Sequence, residues 1–89
     1  MAEKRTRLDI IGDMLESIIN KGGHIKQTHL MYKSILSHRQ MREYLEELVE
    51  KDLVHVNKSR YEYIIITDRG REFFHKLIEM REFEKAFGL

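Results

Sequence analysis

Residues 6–21, TRLDIIGDMLESIINK, repeat apolar side chains at helical spacing: Leu8, Ile11, Leu15 and Ile18, with Ile10, Met14 and Ile19 widening the stripe. The pattern predicts a first helix. Gly12 inside it lowers helix propensity, which marks a point where a neighbour packs closely. Gly22-Gly23 closes the helix, since glycine suits a left-handed C-cap. His24-Ile25-Lys26 then reads as a short extended piece. Thr28 is predicted to cap a short second helix over 29–34, with Leu30 and Met31 facing in. Ser37 followed three residues later by Gln40 fits a capping box. From there Met41, Tyr44, Leu45, Leu48 and Val49 share one helical face, predicting a third helix over about 38–51.

The period then changes. LVHVN (53–57) and YEYIIIT (61–67) are rich in β-branched and aromatic residues and are separated by Lys58-Ser59-Arg60, which predicts a β-hairpin. Thr67 or Asp68 caps a last helix running to about residue 87, although Gly70 in its first turn conflicts with helix propensity. The expected fold is α+β and mainly helical: helix, short strand, helix, helix, two-stranded hairpin, C-terminal helix. Eighty-nine residues suit one domain over 1–89, with 68–87 as its final helix.

Composition narrows the function classes. With no cysteine, disulfides and thiolate metal sites are impossible, and the five histidines show neither HxxxH nor HExxH spacing, so no metal or cofactor is expected. His24 and His29 read as polar surface residues, and His55, alternating with Val54 and Val56, as an outward strand residue. Ser34, Ser37 and Ser59 lack evident His–acid partners, and Gly22-Gly23 lacks the Lys-Ser/Thr of a phosphate loop, so no enzyme is expected. No apolar run approaches the ~20 residues of a membrane span, and MAEKRTRLD lacks a signal-peptide core, so a cytoplasmic location is expected.

The net charge of +1 is uninformative, but its distribution is not. Between Ser17 and Arg42 lie five bases (Lys21, Lys26, Lys33, Arg39, Arg42) and no acid, whereas Glu43, Glu46, Glu47, Glu50 and Asp52 follow at once. A nearly neutral chain of this kind presents one positive face. The second and third helices, joined by a few residues, form a helix-turn-helix whose second helix enters a DNA major groove, with the hairpin (57–61) as a wing. His38, Arg39, Gln40 and Arg42 are the expected base contacts, since Arg pairs with guanine and Gln with adenine. Lys26, Thr28, Tyr32, Lys33, Ser37, Lys58 and Arg60 are the expected contacts to the DNA backbone, Lys58 and Arg60 also being in reach of the minor groove. The acidic half of the third helix reads as a solvated face, with orientation on DNA by repulsion as the alternative.

The run LMYKSILSHRQMREYLEELVEKDLV, followed by YEYIIITDRGREFFHKL, resembles the archaeal winged-helix DNA-binding proteins, which include small dimeric members and short proteins of archaeal viruses. The resemblance covers about residues 6–80. It implies a winged helix-turn-helix, double-stranded DNA as partner, transcriptional regulation, and a homodimer formed through the helix after the wing. Phe73, Leu77, Met80, Phe83 and Phe87 are then the expected dimer interface, with Phe74 and Ile78 alongside and Glu84 interrupting the seam. The rival reading is a winged helix used for protein–protein contact, because a fold does not dictate its function.

Overall fold

The computed structural model describes residues 4–59 and 62–89. Helix α1 spans Arg7–Asn20 and is opened by a capping box absent from the expectations above. The Thr6 hydroxyl accepts the Asp9 amide at 3.1 Å, and the Asp9 carboxylate accepts the Thr6 amide at 2.9 Å. At its far end the amides of Gly22 and Gly23 donate to the carbonyls of Ile19 (2.9 Å) and Ile18 (3.0 Å), with φ of 85° and 99°. This is a Schellman closure, and it needs glycine because an L side chain resists positive φ.

Strand β1 (His24–Lys26) runs without a break into α2 (Gln27–Ser34). Helix α2 therefore starts before Thr28, and Thr28 is not its cap. Pairing of Lys26 with Tyr63 of the sheet keeps the chain extended up to residue 26, so Lys26 takes the N-cap place with no side-chain cap bond. Helix α3 (His38–Glu50) carries the expected box: Gln40 N–H to Ser37 Oγ at 3.2 Å, and Ser37 N–H to Gln40 Oε1 at 3.0 Å. Strands β2 (Val54–Lys58) and β3 (Glu62–Ile66) form the hairpin in antiparallel register, Val54 opposite Ile66 and Lys58 opposite Glu62. Helix α4 spans Asp68–Ala86. Thr67 is its cap, accepting the Gly70 amide at 2.9 Å while its hydroxyl donates to the Asp52 carbonyl at 2.7 Å.

The three strands form one sheet in the order β1-β3-β2, so the short first strand pairs with the far side of the hairpin. The core joins Met14, Leu15 and Ile18 of α1, Ile25 of β1, Leu30 of α2, Met41 and Leu48 of α3, Val54 of β2, and Ile64 and Ile66 of β3, all nearly sealed from solvent. Leu8 and Val49, expected on the buried stripes, lie at their edges and stay about two-fifths exposed.

The two glycines inside helices mark close crossings. A Cβ on Gly12 would stand 2.9 Å from Leu77 Cδ2, so α1 and α4 meet there. A Cβ on Gly70 would stand 2.2 Å from the Leu53 carbonyl oxygen, which explains glycine in the first turn of α4. Leu77 is consequently only 5% exposed and belongs to the chain's own interior, correcting its expected place at a dimer interface. Phe73 and Phe74 are half-buried against the same core. Helix α4 stays on α1 as far as Arg81, while Met80, Phe83 and Phe87 remain exposed.

Candidate nucleic-acid interface

Helices α2 and α3 are joined by only Ile35, Leu36 and Ser37. Leu36 plugs into the core at 8% exposure and its amide returns to the Met31 carbonyl at 3.1 Å. Helix α3 buries Met41, Leu45 and Leu48, each contributing about 2 kcal/mol through loss of water contact. That packing lets the outer face carry unfavourable charge. Arg39 in the first turn and Glu47 and Glu50 in the last oppose the helix dipole, at about 0.3–1 kcal/mol for each charge. Packing outweighs this cost, and the helix tolerates a positive front and a negative back.

His38, Arg39, Gln40 and Arg42 are all exposed on that front. The Arg39 side chain is 89% exposed, and its Nε donates to Glu43 Oε1 at 3.2 Å. The bond engages Nε and leaves the terminal nitrogens for another acceptor. Gln40 is more constrained. Its Oε1 already accepts the Ser37 amide, so a two-bond contact with adenine would use that oxygen's second lone pair in the orientation the capping box sets. His38, Arg39 and Arg42 share a shallow crevice of about 250 Å³ with Glu43 and Glu46, so the charges there are interleaved rather than purely positive.

A second cleft, of about 430 Å³, is lined by Lys26, Thr28 and Met31, by His38 and Met41, and by Glu62 of the hairpin. It brings Lys26 and Thr28 beside His38, ten positions further on, and all three were expected to contact DNA. Tyr32 and Lys33 are exposed on α2, Ser37 in the turn and Lys58 at the end of β2. The Ser37 hydroxyl accepts the Gln40 amide and retains its own proton for donation. Asn57 Oδ1 accepts the Ser59 amide at 3.1 Å, shaping the hairpin tip. Arg60 lies outside the described residues.

The acidic half of α3 is partly explained by packing. Glu47 forms an ion pair with Arg7, joining α3 to the start of α1. On the other side of α1, Arg81 of α4 reaches Asp9 at 3.1 Å. Thr6 amide and hydroxyl, and then the Arg81 guanidinium, hold the Asp9 carboxyl below its ordinary value. Sequence reasoning placed Glu43 on the exposed front of α3 but missed its ion pair, and it missed Arg5 altogether. Glu43 was visible as the i+4 partner of Arg39. Arg5 had no local signal, and it reaches the turn between α2 and α3 across 29 and 30 positions of sequence. Among the described residues no cluster suited to a metal ion occurs, and no helix is long and apolar enough to cross a membrane.

Comparison with known proteins agrees with this architecture. Residues 4–85 match the family described as winged helix-turn-helix. An uncharacterised protein of Methanocaldococcus jannaschii, MJ0287, is 30% identical over 79 residues, covering 89% of this chain and 76% of that protein. Among solved structures, F93 from STIV, a winged-helix DNA-binding protein, superposes with a TM-score of 0.77 at 16% identity, covering 93% of this chain and 95% of the other. Sso10a-2, a DNA-binding protein from Sulfolobus solfataricus, gives 0.75 at 19% identity, covering 94% and 90%. The PcaV transcriptional regulator from Streptomyces coelicolor gives 0.77 at 14% identity over 88% of this chain and 60% of that one.

Proposed function

The chain belongs to the winged helix-turn-helix family, and from that premise we propose that it binds double-stranded DNA as a transcriptional regulator. Helix α3 enters the major groove by its N-terminal end, and the hairpin lies along the backbone or the minor groove. One observation carries this reading: Arg39 and Arg42 stand exposed, with His38, at the free end of the second helix of a helix-turn-helix. Arg39 and Arg42 read base edges there, and His38 and Gln40 supply single contacts. Lys26, Thr28, Tyr32, Lys33, Ser37, Lys58 and Arg60 hold phosphates, which orients the protein without specifying sequence. DNA binding by F93 and Sso10a-2, structures of the same fold, supports the choice of partner.

The regulator acts as a homodimer through the outer half of α4. Met80, Phe83 and Phe87 are 45%, 64% and 69% exposed, and the rings of Phe83 and Phe87 lie 5.0 Å apart. Such a cluster is costly to leave in water. Phe73 contributes only its open edge. A symmetric dimer then addresses two half-sites about 34 Å apart or a multiple of that.

A second reading, docking of α3 on another protein, is favoured by one feature, the acids Glu43 and Glu46 interleaved with Arg39 and Arg42. Selection of bound duplexes from a random pool separates the two. An enriched palindrome is expected, whereas no duplex retained even at low salt supports the protein-contact reading.

A further inference from the structure

The turn between α2 and α3 contains a conformation that its sequence does not favour. Ile35 has φ 53° and ψ 56°, the left-handed region, which is a true outlier for a β-branched residue. Its side chain is 79% exposed, so burial of the isoleucine does not hold it there. Strained backbone of this kind persists only where surroundings enforce it, and it gathers at functional places.

The buried Leu36 and its amide bond to the Met31 carbonyl hold the turn from one side, and Arg5 clamps it from the other. Its Nη1 donates to the Ser34 carbonyl at 2.7 Å, and its Nη2 donates to the Ile35 carbonyl at 2.8 Å. Asp13 of α1 fixes the fork from behind, accepting from Nη1 at 3.1 Å. The rigid guanidinium thus binds two successive carbonyls at the end of α2, where an arginine also meets the negative end of the helix dipole. Helix α2 packs on α1 and the sheet, and α3 on β2 with Glu47 paired to Arg7, so the three-residue turn is the direct link between the two helices.

We propose that Arg5 is a positioning residue for α3. By clamping the Ser34 and Ile35 carbonyls it holds the strained turn at the pitch that presents Arg39 and Arg42, and it sets sequence discrimination rather than general affinity for DNA. The second half of this statement rests on the DNA-binding reading. An arginine that merely stabilised the fold would act independently of Ile35. A clamp on a strained turn would not, because glycine adopts the left-handed conformation unaided.

The test compares the parent protein, Arg5→Ala, and Arg5→Ala with Ile35→Gly. Amide hydrogen exchange reads the turn without DNA: Arg5→Ala speeds exchange at Leu36 and Gln40 about tenfold relative to Leu77, and Ile35→Gly reverses this. Binding to the selected and to a scrambled duplex reads the consequence: Arg5→Ala loses about tenfold in preference for the selected site while scrambled-site affinity holds, and the double variant recovers it. Unchanged exchange in Arg5→Ala, or no recovery on adding Ile35→Gly, overturns the clamp. A loosened turn with full discrimination overturns its role in reading DNA. If the parent protein binds no duplex, the proposed function falls, and exchange alone decides whether Arg5 clamps the turn.

Discussion

Arg39 and Lys58 differ in what surrounds them, and that difference sets what each does. Arg39 projects from α3 with its Nε held by Glu43, so its terminal nitrogens have a defined direction. Lys58 ends β2 with an exposed ammonium, a point charge that a phosphate satisfies at many angles. Arg39→Ala is therefore expected to lose about 1–3 kcal/mol of discrimination between selected and scrambled duplexes, whereas Lys58→Ala weakens both equally. Titration against the two duplexes measures this, and identical behaviour of the variants would reduce Arg39 to a phosphate contact. Asp9 offers a prediction free of DNA. Its carboxyl is lowered by Thr6 first and then by Arg81, so the charged form is favoured in the folded protein. The resulting stability is present above the ordinary carboxylate value of 3.8 and is lost as pH falls through the lower folded value. Asp9→Asn should be less stable than the parent at neutral pH, with the gap closing in acid. A gap independent of pH in urea titrations would assign Asp9 a role unrelated to its charge.

Among the elements, the two ends of α4 have different duties. Its first turns are built into the body, with Thr67 tied to the end of α3 through the Asp52 carbonyl and Gly70 lying against the Leu53 carbonyl. Backbone cannot yield as a side-chain tip can, so Gly70→Ala should cost about 3 kcal/mol. Gly12→Ala meets the flexible ends of Leu77 and Arg81 and should cost less. Urea midpoints with unchanged slopes would measure both, and a larger loss at Gly12 would mean that the Leu53 carbonyl gives way. The outer half of α4 has two aromatics, Phe83 and Phe87, that touch each other and stay exposed. Here the sequence was partly legible. The apolar spacing marked Phe73, Leu77, Met80, Phe83 and Phe87 as one group, but periodicity on a single helix does not say which neighbour takes which residue. Gly12 and Leu77 meet across 65 positions of sequence, and that crossing takes Leu77 into the interior.

For the whole molecule, a net charge of +1 predicts no strong attraction to DNA, whereas the bases gathered on α2, the front of α3 and the hairpin do, with Glu43, Glu46 and Glu62 set among them. If a dimer neutralises about eight phosphates, log K against log[salt] should fall with a slope near −7. A slope near zero in fluorescence titrations would contradict an interface made of the α2, α3 and hairpin bases. Phe87→Glu should halve the sedimenting mass while leaving the helical signal intact, because Phe87 lies beyond the packed body. An unchanged mass would remove the outer half of α4 from the interface.

The sequence by itself determined the elements and their order. Hydrophobic period, the Ser37–Gln40 box, the paired glycines and the switch to β-branched runs are local signals, and each acts within a few residues. It also determined the basic front of α3, because Met41 and Leu45 leave His38, Arg39 and Arg42 facing outward. Tertiary structure alone decided what depends on distant parts of the chain meeting. Strand β1 joins β3 rather than β2, α2 starts before Thr28 because the sheet keeps Lys26 extended, and Leu77 turns inward over Gly12. The Arg5 fork on the carbonyls of Ser34 and Ile35 belongs here as well. A hydrogen bond across 29 positions leaves no periodic trace, since its geometry is set by how α1 and α2 pack and not by either segment.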